Sequence, residues 1–239
     1  MKILLILFAV LLPASLLQAF DHSSLDSILK RCLNGSGMVD YASLKTNRTG
    51  LDTYLKTTGA VSQATFNGWG KDEQLAFLIN VYNAETLQYI IDNHPIASIK
   101  KLGGIFSTPW DKKNVILLGE KVSLNHLEHK VIRPNYDEPR IHFALVCAAK
   151  GCPPLHSEAY TAAKLEGQLA SQAKVFLNQS SKNRFEDGTL YLSTIFKWYG
   201  GDFKDGGQTV SGYVDSYIEG ATTGADIKWT DYDWSLNEQ

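Results

Sequence analysis

The sequence predicts an α+β domain, with helices packed around a small, mainly antiparallel sheet. Three observations carry this. Asp72–Ile91 repeats apolar residues at helical spacing on more than one face, as a central helix does. Several shorter segments share that period. Two turn signatures, Gly119-Glu120 and Asp187-Gly188, each stand between short strand-like runs and predict hairpins.

In chain order, the first element is a leader. Lys2, the apolar run Ile3–Leu12, Pro13 and a weaker stretch to Ala19 follow the order of a signal peptide, with cleavage expected after Ala19. The run is too short to span a bilayer, which takes about 20 residues. The chain therefore divides into residues 1–19, a leader, and 20–239, one globular domain. Ser24 or Asp26 caps a helix carrying Leu25, Ile28, Leu29 and Leu33, which Asn34-Gly35 ends. Leu51, Tyr54 and Leu55 mark a second helix before the long one. Val115–Leu118 and Lys121–Ser123 form the first hairpin, and Ser123 caps a short helix through Ile132. Ile141–Cys147 reads as a buried strand that opens into the loop Ala148–Pro154. Thr161 starts a helix with Leu165, Leu169, Ala173 and Phe176 inward. The second hairpin joins Arg184–Glu186 to Thr189–Leu192. Short helices follow near Thr194–Tyr199 and Val210–Ile218, and Ile227–Trp234 reads as an edge strand or packed tail.

Composition narrows the function. Of 239 residues, 44% are hydrophobic and 20% charged, which is ordinary globular usage and leaves no room for a disordered or collagen-like chain. Removing Lys2 with the leader leaves 22 basic against 25 acidic residues, a net of −3. That balance is too weak and mixed to steer toward nucleic acid. The mature chain has no second long apolar stretch, so stable membrane insertion is not expected after leader removal. The protein is expected to be exported, to the periplasm in a Gram-negative host and otherwise to the medium.

Chemistry concentrates between Arg140 and His156, which hold two of the three cysteines and two of the six histidines. Three readings compete there. A Cys147–Cys152 disulfide suits an oxidising compartment, provided the loop turns back, as Gly151, Pro153 and Pro154 would help it do. Alternatively, Cys152 is a nucleophile with His142 as general base and Glu128, His129 or Asp111 orienting the imidazole. An extended strand would carry His142 some 16 Å from Cys147 at about 3.3 Å per residue, so that reading also needs the chain to fold back. Finally, His142, Cys147, Cys152 and His156 are zinc-type ligands, but their spacing matches no compact finger, and no metal or other cofactor is assigned. Cys32 is left over in each case. A thiol–disulfide redox protein is a further class, although the C-x-x-C spacing typical of it is absent.

These residues belong to a longer pattern. Gly37-Met-Val-Asp40-Tyr41, Ala76–Ala84 with Asn80 and Asn83, Pro109-Trp110-Asp111, and Leu127-Glu128-His129 precede Arg140-Ile-His142 through Cys147 and Gly151-Cys152-Pro153-Pro154. Ile195–Tyr199, Asp202-Phe203 and Tyr232–Asn237 follow. In this order they resemble the domain of unknown function 547 family across nearly the whole mature chain, with Leu78 and Ala149 departing from its usual Trp and Ser. The resemblance implies one full-length domain and singles out Asn80, Asn83, Trp110, Asp111, Glu128, His129, Arg140, His142, Cys147 and Cys152, without implying an activity. Each polar residue also has a structural reading, since a buried amide commonly satisfies backbone groups and Arg140 could bridge to Glu128 or Asp137.

Two functions follow from this pattern. One is a thiol-dependent hydrolase or acyltransferase acting on an amide or ester, with Cys152 attacking, His142 shuttling the proton and Glu128 orienting it. The other is a non-catalytic module with the Cys147–Cys152 bridge closed. In that case the pocket, walled by Trp110 and Trp198, holds an unknown small molecule or peptide. Asn80, Asn83, Asp111, His129 and Arg140 are the remaining binding candidates.

Overall fold

The computed structural model describes residues 18–204, 209–220 and 224–239. Nearly all of the expected leader therefore lies outside the described residues. Ten helices and two small sheets make up the described part, an α+β architecture. The helix α1 (Ser23–Cys32) turns Leu25, Ile28, Leu29 and Cys32 inward. Asp40 caps α2 (Tyr41–Thr46) by accepting from the Ser43 amide, and α3 (Thr49–Gly59) buries Leu51 and Tyr54. The short α4 (Gln63–Asn67) leads into α5 (Lys71–Asn93), the longest helix.

Helix α5 is apolar on almost every side because it is surrounded. Its first half, from Leu75 to Tyr82, belongs to one hydrophobic core, and its second half, from Ala84 to Ile91, to another. Fully buried side chains such as Phe77 and Ile90 each contribute about 1.5–3 kcal/mol relative to exposure. A third core, around Phe143, Phe176, Phe196 and Phe203, lies under the C-terminal sheet.

The first sheet is the hairpin β1 (Lys113–Leu117) and β2 (Glu120–Ser123). Its corner is Leu118-Gly119, with φ of 52° and 87°, one residue earlier than the sequence predicts. Both corner residues take positive φ, as the right-handed strand twist favours, and Gly119 carries this without a Cβ cost. Ser123 then caps α6 (Leu124–His126), whose backbone widens into a π-type turn over Leu127–Ile132. After α8 (Leu165–Leu177), β3 (Arg184–Glu186) and β4 (Thr189–Ser193) form the second hairpin around Asp187 and Gly188, both at positive φ. Helices α9 (Thr194–Trp198) and α10 (Val210–Val214) follow, and β5 (Asp226–Thr230) adds to β4 in parallel.

The predicted strand Ile141–Cys147 is corrected. Residues Ile141–Ala144 form a single helical turn, α7, and only from Leu145 does the backbone extend. Periodicity cannot separate a buried helical turn from a buried strand in so short an apolar run. Side chains of α5 replace the missing strand partners. Asn83 accepts from the Val146 amide at 3.0 Å and donates to the Ala144 carbonyl at 2.9 Å. Asn80 does the same for Tyr160, donating to its carbonyl at 2.7 Å and accepting from its amide at 2.9 Å.

Candidate functional site

The loop after α7 builds the site. Ala148 takes a positive φ of 62°, which curls the backbone so that successive amides converge. Into that curl comes the sulfur of Cys152. It accepts from the Cys147 amide at 3.1 Å and from the Tyr232 hydroxyl at 3.0 Å, with the Ala149 amide as a further donor. Cys147 Sγ stands 2.6 Å from Cys152 Sγ and 3.2 Å from the same hydroxyl. Burial pushes the Cys152 thiol up, but the donors outweigh it and bring the pKa down to about 7. Cys147, the donor to its neighbour, is pushed well above the ordinary thiol value by that bond and by burial.

Both cysteines are free thiols in this structure, with no bridge between them. The loop does turn back as a Cys147–Cys152 bridge requires, and it brings the sulfurs to 2.6 Å, outside the bonded distance of about 2.05 Å but closer than two unbonded sulfurs normally stand. Cys32 lies apart on α1, its pKa raised to about 11 by burial.

The C-terminal tail straps this loop in place. The amides of Lys150 and Gly151 donate to the carbonyls of Ser235 and Asp233, and the Asn237 amide to that of Ala148. Gly151 is required by this contact, since a Cβ there would lie 2.8 Å from the Tyr232 ring. Its absence lets the phenol reach the two sulfurs.

Cys147 and Cys152 line a cavity of about 200 Å³. Trp110, Trp198, Tyr232 and Trp234 wall one side, with neighbouring ring centroids 4.5–5.9 Å apart. The indole Nε1 of Trp110 is buried with no partner among the described residues. Tyr82, Glu128, His129, His142 and Tyr199 also line the cavity, with Glu128 accepting from Tyr82 at 3.3 Å.

His142 comes from α7 and stacks on Tyr199 at 3.9 Å between centroids. Its Nε2 meets Asp202 Oδ2 at 2.8 Å, and Arg133 grips the same carboxylate through two bonds of 2.7 Å. The His142 contact, and then Arg133, hold Asp202 well below the usual carboxylate range. The expected pairing of Glu128 with His142 is therefore corrected to Asp202. Glu128 instead faces the phenols and stands 3.9 Å from His129, whose Nδ1 bonds Arg133 at 3.0 Å.

Other candidates serve the fold. Asn80 and Asn83 are spent on backbone groups, as above. Asp111 closes a capping box with Thr108 and accepts from Asn125, outside the cavity lining. Arg140 pairs with Glu138 and Glu166, not with Glu128. His156 bonds the backbone of Glu158, so the four zinc-type residues are not gathered, and no cluster of three such ligands occurs among the described residues.

Sequence reasoning missed Asp202, Tyr199, Tyr232 and Trp234 as site residues. All four stood in the ordered blocks, which was the available signal.

Residues 66–177 match the family described as "Protein of unknown function, DUF547". That segment holds both thiols, His142 and Glu128, whereas Asp202, Tyr232 and Trp234 lie outside it, so the match is narrower than the full-length resemblance. Neither the curated proteins nor the solved structures give a match.

Proposed function

We propose that the protein is an exported thiol-dependent hydrolase or acyltransferase acting on an amide or ester. The observation that carries this reading is the Cys152 sulfur, ringed by donors and brought to a pKa of about 7 on the lining of an aromatic cavity. A thiolate is the nucleophilic form, and here amides, a phenol and a second thiol stabilise it in place of an imidazole. Cys152 attacks the carbonyl carbon. In this reading the thiol proton passes to Nδ1 of His142, whose Nε2 is held by Asp202, and goes from there to the leaving amine or alcohol as its bond to the carbonyl carbon breaks; Nδ1 then takes a proton from water or an acceptor alcohol or amine, whose attack breaks the thioester and releases Cys152.

The test is acylation by an activated ester, read by intact mass and peptide mapping. Wild type acquires one acyl group as a thioester on Cys152, and Cys152→Ser acquires none there. Absence of the adduct, or acylation elsewhere only, overturns the proposal. The aromatic wall also favours a second reading, a binding module that holds a small molecule or peptide without turnover, and it would give no thioester.

A further inference from the structure

The first described residues point to how the mature chain is finished. The Phe20 ring packs against Phe77 at 5.2 Å and Trp69 at 6.4 Å, while Gln18 and Ala19 are exposed. The Phe20 amide nitrogen lies 2.8 Å from Glu73 Oε1. Glu73 is 9% exposed at the start of α5, and no Lys, Arg or His pairs with it among the described residues. A buried carboxylate without a cation is costly, and a cation delivered to that point relieves the cost.

We infer that hydrolysis of the Ala19–Phe20 bond by a leader peptidase completes the fold: water adds across the peptide bond, Ala19 leaves with a carboxylate, and the new α-ammonium of Phe20 pairs with Glu73. One contact is given up, the bond from Trp69 Nε1 to the Gln18 carbonyl. The inference rests on the export reading above. It extends the consequence to α5, which carries the Asn80 and Asn83 amides that hold the site's backbone.

The experiment begins with N-terminal sequencing of the exported protein, which should start at Phe20. Glu73→Gln is then introduced into protein starting at Phe20 and into protein retaining Gln18-Ala19. In the first, the unfolding equilibrium constant should rise about tenfold more than in the second, the size of one charge-assisted contact. Export with a different first residue, or equal effects in both backgrounds, overturns the inference alone. Retention of an unprocessed chain inside the cell overturns the export reading with it.

A separate observation concerns the turn Gly104–Ser107, closed by the Gly104 amide donating to the Ser107 carbonyl at 3.0 Å. Its corners are Ile105 and Phe106, 92% and 100% exposed, whereas the other large exposed apolar residues among those described reach at most 47%. Turn corners normally carry Gly, Asn, Asp or Pro. Exposed Lys100, Lys101, Lys112 and Lys113 flank it against one acid, Asp111, in a chain of net charge −2. We propose that this turn seats on an anionic lipid surface, with Ile105 and Phe106 in the acyl boundary and the lysines at the headgroups. Trp110, three residues beyond the turn, would then bring the cavity toward the lipid.

Flotation with vesicles of phosphatidylcholine, with and without about one-third phosphatidylglycerol, tests this. Binding should require the anionic lipid, weaken with salt, and fall about tenfold in Ile105→Ser/Phe106→Ser with an unchanged melting curve. Equal binding by the variant, no binding by wild type, or self-association that the same variant abolishes would overturn it.

Discussion

Tyr232 donates its hydroxyl to Cys152 Sγ at 3.0 Å across 80 positions of sequence, so the last residues of the chain set the chemistry of the central loop. Removing that donor disfavours the thiolate. Tyr232→Phe should raise the Cys152 pKa by about one unit, read from the pH dependence of alkylation.

Gly151 tests the same contact through space. A methyl group at that position meets the Tyr232 ring at 2.8 Å and must push it off. Gly151→Ala should cost about 1–3 kcal/mol in a denaturant melt and also shift the Cys152 alkylation profile to higher pH.

Asp202 acts at a distance from the sulfur. Asp202→Asn removes the charge beside His142 without touching the thiol donors. It should slow breakdown of a Cys152 thioester about 100-fold while leaving the thiol alkylation profile in place. A shift in that profile instead would mean that the imidazole sets the thiolate.

Glu85 provides a pH signature independent of the site. Burial raises its pKa from 4.5 to about 7, so between those values the folded state binds more protons than the unfolded one and its contribution falls as pH rises. Glu85→Gln should match wild type below pH ~4.5 and be about 3 kcal/mol more stable above pH ~7, by urea melts across that range. His22 works in the opposite direction. Its folded pKa of about 4, lowered by burial, makes stability rise with pH from there to about 6.5 in both proteins.

Much of this was legible in the sequence. The α+β class, α5 and the Asp187-Gly188 hairpin follow from periodicity and turn chemistry, which are local. The clustering of Cys147, Cys152 and His142 was also visible. What was hidden is contact across long separations: Asp202 meets His142 from 60 residues away, and Tyr232 meets Cys152 from 80. The false strand at Ile141–Cys147 has the same origin. Asn83, 63 residues earlier, supplies the hydrogen bond to Val146 that a neighbouring strand would have supplied. No short window contains that information.

The most direct measurement is the alkylation rate of each cysteine against pH on the native protein, with thiols counted by mass without reductant. The account predicts three free thiols, with Cys152 labelling half-maximally near pH 7 and Cys147 and Cys32 far less reactive. A mass lower by two hydrogens with a Cys147–Cys152 cross-link, or a Cys152 profile at the ordinary thiol value near 8.5, would contradict it.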